Sequence, residues 1–270
     1  MAYEKQTWAN GDTITAPKLN NIEGGVEGMN NSYEKQTWIT GEIITAEKLN
    51  HIEDGIANGS DGSGASEDFA KLIDKSIIVA NIPEGVTSIG NQIFSYCADL
   101  TSVIIPSSVT SIGDRAFSNC SKLTGIIIPD SVTSVGVTLF SNCSSLTNAT
   151  ISNNITEIPT SMFENCSKLT SIIIPNGVTR IGIRAFMSCS SLTNIVIPSG
   201  VTNIGEEAFS SCTSLEEIVV KATTPPIISS ATFARVPNTA KIYVPSESVA
   251  AYKAATYWKS RANYIQAIQE

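Results

Sequence analysis

Six cysteines, Cys97, Cys120, Cys143, Cys166, Cys189 and Cys212, recur every 23 residues in this chain of 270. Phe94, Phe117, Phe140, Phe163, Phe186 and Phe209 keep the same step, as do Leu100, Leu123, Leu146, Leu169, Leu192 and Leu215. One unit reads I-P-x-x-V-T-S-I-G-x-x-A-F-x-x-C-x-x-L-T-S-I-x, with its best copies at Ile105 to Ile127 and Ile174 to Val196. A unit this short cannot bury its own apolar face. Stacked units can share one continuous core, so the period predicts a solenoid.

Within a unit, Leu-x-x-Ile-x-Ile predicts a short strand whose Leu100, Val103 and Ile105 equivalents point inward, ended by a Pro that has no N–H to donate. Val-Thr-Ser-Ile, as in Val109 to Ile112, predicts a second short strand. The Ala-Phe-x-x-Cys stretch between them predicts one helical or 3₁₀ turn that drives the Phe into the core. Gly90, Gly113, Gly136, Gly182 and Gly205 follow the second strand, but the fourth unit has Pro159 there. A position that accepts Pro does not demand positive φ, so these glycines are expected to serve close packing at a bend. The fourth unit also carries Ser152 in place of the strand-ending Pro.

This pattern resembles the BspA-type, or Treponema-type, leucine-rich repeat family over residues 77–268. The resemblance extends to the ending, where Thr224-Pro225-Pro226, Phe233, Ile242-Tyr243-Val244-Pro245 and Ser248 through Trp258 look like the family's closing segment. It implies a leucine-rich repeat solenoid, a cap over the last strand edge, and a surface-exposed binding or adhesion role without catalysis. The expected organisation is a cap over residues 67–82, repeats over 83–220, and a last repeat with its C-terminal cap over 221–270.

A different repeat fills residues 1–57. Tyr3-Glu4-Lys5-Gln6-Thr7-Trp8 returns as Tyr33-Glu34-Lys35-Gln36-Thr37-Trp38, and the Ile14 to Asn20 stretch returns at Ile44 to Asn50. The copies, 3–30 and 33–57, each read as an extended Trp-bearing arm and a short amphipathic helix, with Leu19 and Ile22, or Leu49 and Ile52, on one face. So small a unit needs another surface to cover Trp8, Trp38 and those stripes. Self-association, with a trimer favoured, or docking onto a larger particle would supply it. The string T-W-x-x-G-x-x-I-T-A-x-K-L-N resembles a module of structural proteins in phages of Gram-positive bacteria, found in tail, baseplate and head fibres. Residues 58–66, rich in Gly and Ser, read as a flexible linker.

Little chemistry is encoded. His51 is the single histidine and matches Asn21 in the sister copy, so it reads as a surface helix position. The cysteines lack a C-x-x-C pair or a histidine partner, and in-register stacking suits disulfides poorly. Buried free thiols are expected, with no metal, cofactor or enzymatic activity. The N-x-S strings at Asn119, Asn142 and Asn165 are in phase with the repeat and read as bend residues. Net charge is −8. That balance argues against a nucleic-acid surface, and no apolar run approaches the roughly 18 residues of a membrane span.

Alternation leaves Ile104, Ile127, Thr150, Ile173, Val196 and Val219 on the outer face of the first strand, beside Ser102, Gly125, Asn148, Ser171, Asn194 and Glu217. Such a β-branched ladder can persist on an exposed strand through propensity alone. An apolar stripe with a polar rim is also how a protein-binding patch looks. The reading is a phage or prophage virion protein, a fibre, spike or baseplate component, attached to other virion proteins by its N-terminal module. Its repeats would bind a bacterial surface protein or glycan. Met1 to Trp8 lack the basic and apolar regions of a secretory signal, which suits a particle released by lysis. The alternatives are a BspA-like adhesin on a bacterial surface and a capsid or tail decoration without a receptor.

Overall fold

The structure, a computed structural model, describes residues 78–82 and 84–269. The duplicated module with Trp8, Leu19, Ile22, Trp38, Leu49 and Ile52, the linker, and the cap up to residue 77 lie outside the described residues. The rest is a stack of 23-residue turns built from two rows of short parallel strands. The first row holds β1 (Val79–Asn81), β3 (Ser102–Ile104), β5 (Gly125–Ile127), β7 (Asn148–Thr150), β10 (Asn194–Ile197), β12 (Glu217–Val220), β13 (Lys241–Val244) and β14 (Ile265–Ala267). The second holds β2 (Ser88–Ile89), β4 (Ser111–Ile112), β6 (Ser134–Val135), β8 (Glu157–Ile158), β9 (Arg180–Ile181) and β11 (Asn203–Ile204). Every pairing in the repeats is parallel and offset by one unit, as in Ser111↔Ser134 and Asn194↔Glu217.

The repeated apolar positions build one core. All six phenylalanines of the period are fully buried, and Phe233 extends their column. Neighbouring rings stack with centroids 5.3 to 5.6 Å apart, from Phe94 through Phe233. All six cysteines of the period are buried, and no disulfide joins them. Each thiol from Cys120 onward donates to the carbonyl of the Phe one turn earlier, as in Cys143 Sγ to Phe117 O at 3.2 Å. Burial pushes the Cys166 and Cys189 thiols well above their ordinary value and Cys212 up to about 12, so these sulfurs stay protonated and unreactive.

The expected helical or 3₁₀ turn around each Phe is absent from the repeats. That stretch is instead a run of turns with two non-glycine residues at positive φ per unit, such as Gln92 and Tyr96, or Arg115 and Asn119. The reason lies in where the amides go. A helix would spend them inside its own unit, whereas here Gln92, Phe94 and Tyr96 donate to Asp114, Ala116 and Ser118 in the next unit at 2.8 Å each. The turns therefore form a third ladder along the stack. Asn119, Asn142 and Asn165 all occupy left-handed positions, which asparagine tolerates better than most side chains, in keeping with their reading as bend residues.

The bend glycines are close-packed, as expected. A Cβ on Gly205 would stand 2.6 Å from the Gly182 carbonyl carbon, and one on Gly182 2.5 Å from the Thr160 nitrogen. Neither glycine has positive φ. Where Pro159 replaces this glycine, the bond equivalent to Gly182 N–H to Ile158 O has no donor, and the second strand row divides there into β2-β4-β6 and β8-β9-β11. Ser152 compensates for the missing proline with its hydroxyl, which donates to Val132 O at 2.6 Å and accepts from the Asn154 amide.

The C-terminal segment closes the column. Helix α1 (Val249–Ala254) and the 3₁₀ turns over Trp258–Tyr264 place Trp258 against Phe233, with Tyr252 edge-on to Trp258 at 5.1 Å. Both are buried and anchored: Tyr252 Oη donates to Ala222 O, and Trp258 Nε1 to Pro226 O, each at 2.8 Å. Arg261 lies over the Phe233 ring and donates to the carbonyls of Phe233, Val236 and Pro237, which have no following repeat to serve them.

Candidate functional site: the exposed face of the first strand row

In the first row the strands are buried on one side and open on the other. Val103, Ile126 and Ile195 face the core, while Ile104, Ile127, Ile173 and Val196 are 61%, 66%, 85% and 41% exposed. These values establish that the β-branched row is solvent-facing along the stack, in the phase that alternation gives. Thr150 is exposed within it, and Val219 is half-buried. Pairing fixes the order: Ile127 opposes Thr150, Ile173 opposes Val196, and Val196 opposes Val219. Ser102, Asn148, Ser171, Asn194 and Glu217 form the exposed companion row.

The row is longer than the alternation of the repeats alone suggests. Asn81 pairs with Ile104 at one end, and Tyr243 pairs with Val219 and then Gln266 at the other. Lys241 stands opposite Glu217 in the companion row. The signal for these extensions was the Ile242-Tyr243-Val244 alternation, which sequence reasoning assigned to the cap and not to the face.

A third row borders this face and locks it. The hydroxyls of Thr124, Thr147 and Thr170 donate to the carbonyls of Thr101, Thr124 and Thr147, one turn back each time. The amides of Asn148 and Asn194 reach the neighbouring Thr147 and Thr193 hydroxyls. Gly125 leaves a notch that the Asn148 carboxamide fills, since a Cβ there would lie 2.9 Å from its oxygen. The surface is thus apolar along its centre and hydrogen-bonded along its edge.

Glu217 is the one titratable side chain that the predicted residues of the face contribute. Among the described residues, no group of three or more His, Cys, Asp or Glu is placed to hold a metal ion. The ion pairs of the repeats join adjacent units elsewhere, Lys122 with Asp99 at 2.6 Å and Arg184 with Glu207 at 2.7 Å. Exposed pairs of this kind contribute little to stability.

Six copies of the BspA type leucine-rich repeat region match the chain over residues 69–192 and 179–267. The chain belongs to the BspA-type leucine-rich repeat family. No curated protein matches it. Similar solved structures include a leucine-rich cell surface protein of Faecalibacterium prausnitzii A2-165, 30% identical over 53% of this chain and 60% of that one, with a TM-score of 0.37. A leucine-rich repeat protein of Bacteroides ovatus ATCC 8483 is 24% identical, over 63% of this chain and 56% of that one, with a TM-score of 0.42. The leucine-rich repeat protein of T. pallidum is 25% identical, over 72% of this chain and 84% of that one, with a TM-score of 0.40. The BspA-type chain therefore spans about 60% and 56% of the first two structures. Among the described residues no helix is long and apolar enough to cross a membrane.

Proposed function

We propose that this BspA-type chain is a non-enzymatic binding protein displayed on a bacterial surface, and that the exposed row from Ile104 to Val219 is its recognition face. The observation that carries the reading is the exposure of Ile104, Ile127, Ile173 and Val196 in one register on a strand face whose alternate residues are buried. A folded protein rarely leaves so continuous an apolar stripe open without a partner. The partner class is a protein or glycan of a cell surface.

The virion reading keeps one specific support, the 30-residue duplication that carries Trp8 and Trp38, with its resemblance to phage fibre modules. In that reading Trp8, Leu19, Ile22, Trp38, Leu49 and Ile52 drive self-association or attachment to a particle. Impermeant biotinylation of intact producing cells, set against purified particles from an induced lysate, separates the two. Labelling on intact cells and absence from particles supports surface display; recovery in particles alone refutes it.

A further inference from the structure

The third ladder ends abruptly, and its last donors lie in a basic pocket. In every earlier unit the amides beside the buried Phe donate to the next turn, down to Phe209 N–H to Thr232 O at 2.9 Å and Ser211 N–H to Ala234 O at 2.8 Å. The equivalent amides of the last turn, Phe233 and Arg235, have no acceptor among the described residues. Both residues line a concavity of about 540 Å³ between the last turn and the 257–261 segment, within the range of small-molecule sites.

Three further features distinguish this concavity. First, its lining contains Arg235 and Arg261 but no acidic residue. Arg261 is half-buried and spends three donors on carbonyls, and neither arginine has a carboxylate partner among the described residues. Second, residues 221–270 carry six basic and two acidic groups, whereas residues 76–220 carry five and ten. The positive charge is thus gathered at this end. Third, Tyr257 sits at the rim with φ 65° and ψ −32°, a conformation costly for a tyrosine, and it is half-exposed beside the fully buried Trp258.

From these observations we infer that the C-terminal cap holds a second binding site, for an acidic sugar residue: a pyranose bearing a carboxylate. The carboxylate takes the place of the missing next-turn carbonyls, accepting from the Phe233 and Arg235 amides and from the guanidinium of Arg235. The Tyr257 ring covers the C–H face of the sugar, and Asn238, which lines the concavity, hydrogen-bonds its hydroxyls. This site is at the end of the stack and does not depend on the strand face.

The test is calorimetric titration of the full chain with sodium D-glucuronate, D-glucose, sodium acetate, sodium phosphate and N-acetylglycine. Glucuronate is expected to bind at least about tenfold more tightly than each of the others, as a paired charge and a covered ring together allow. Arg235→Gln should weaken glucuronate about tenfold while leaving the melting temperature unchanged, because Arg235 is exposed and makes no side-chain bond among the described residues. Equal binding of acetate or phosphate reduces the site to a bare anion nest and overturns the sugar assignment. Equal binding of glucose overturns the anion assignment, and preference for N-acetylglycine overturns it in favour of a peptide carboxylate. Absence of heat with glucuronate overturns the site altogether. Ile127→Glu with Ile173→Glu should leave this binding intact, which separates its failure from failure of the strand-face reading.

Discussion

Replacing Phe163 by alanine removes the ring at the centre of the aromatic column. Phe163 is fully buried, with its centroid 5.5 Å from both Phe140 and Phe186. A buried Phe→Ala change costs about 3–5 kcal/mol in lost transfer energy and residual cavity. Each of the two stacked pairs adds about 0.5–1.5 kcal/mol beyond burial, so the expected loss is about 4–8 kcal/mol. That is comparable with the whole stability of many domains, about 5–15 kcal/mol. Because each repeat touches only its neighbours, the damage should also uncouple the two halves of the stack. Urea denaturation of the full chain followed by far-ultraviolet circular dichroism is then expected to show a lowered midpoint and a broadened or two-step transition. Phe163→Leu, which keeps most of the volume but loses both stacked pairs, should cost about 1–3 kcal/mol, less than the alanine variant. A loss below about 2 kcal/mol for Phe163→Ala, with a single sharp transition, would refute the argument that a shared column carries the fold.

Three other perturbations test separate parts of the structure. Thr138 is β-branched yet held at φ 61°, so Thr138→Gly should raise stability by about 1 kcal/mol in the same denaturation assay, and a destabilised variant would contradict the strain. Gly205→Ala should cost more than about 2 kcal/mol, because its Cβ would meet the Gly182 backbone at 2.6 Å and neither chain can yield without breaking a ladder. The thiols give a pH signature. Burial raises Cys212 from an ordinary 9.0 to about 12 and raises Cys166 and Cys189 as well. Above pH 9 the unfolded chain therefore releases protons that the folded one retains. Stability should be independent of these groups below pH 9 and fall above it, with Cys212 contributing a loss of about 1.4 kcal/mol for each further pH unit up to about 12 and Cys166 and Cys189 acting in the same direction. Flat urea midpoints between pH 9 and 11 would show that the thiols are not buried as described.

The period of Cys, Phe and Leu made the solenoid, its core and its two strand rows legible, because every unit repeats the same burial problem. Pro159 and Ser152 marked the irregular unit, and the second strand row does divide there. The turn around each Phe was misread as helical because its left-handed positions hold Gln92, Arg115, Thr138 or Glu207 and not glycine. The asparagines at 119, 142 and 165 were the one local hint. What fixes that backbone is the amide ladder to the next unit, a contact 22 residues away that no local pattern encodes. Arg261 was illegible for the same reason, since its carbonyl partners lie 24 to 28 residues upstream. The exposed row was legible in phase, and only its continuation through Tyr243 was missed, because that strand was read as part of the cap.

The central claim is that the exposed first-row face, and not the core behind it, carries recognition. The most direct measurement is binding of the full chain to whole bacterial cells of candidate partner strains, with Ile127→Glu and Ile173→Glu introduced together. Both side chains are exposed, so the double variant is expected to keep its melting temperature and lose cell binding by at least about tenfold, as charge is placed on an apolar contact. Undiminished binding by a folded double variant would contradict the account.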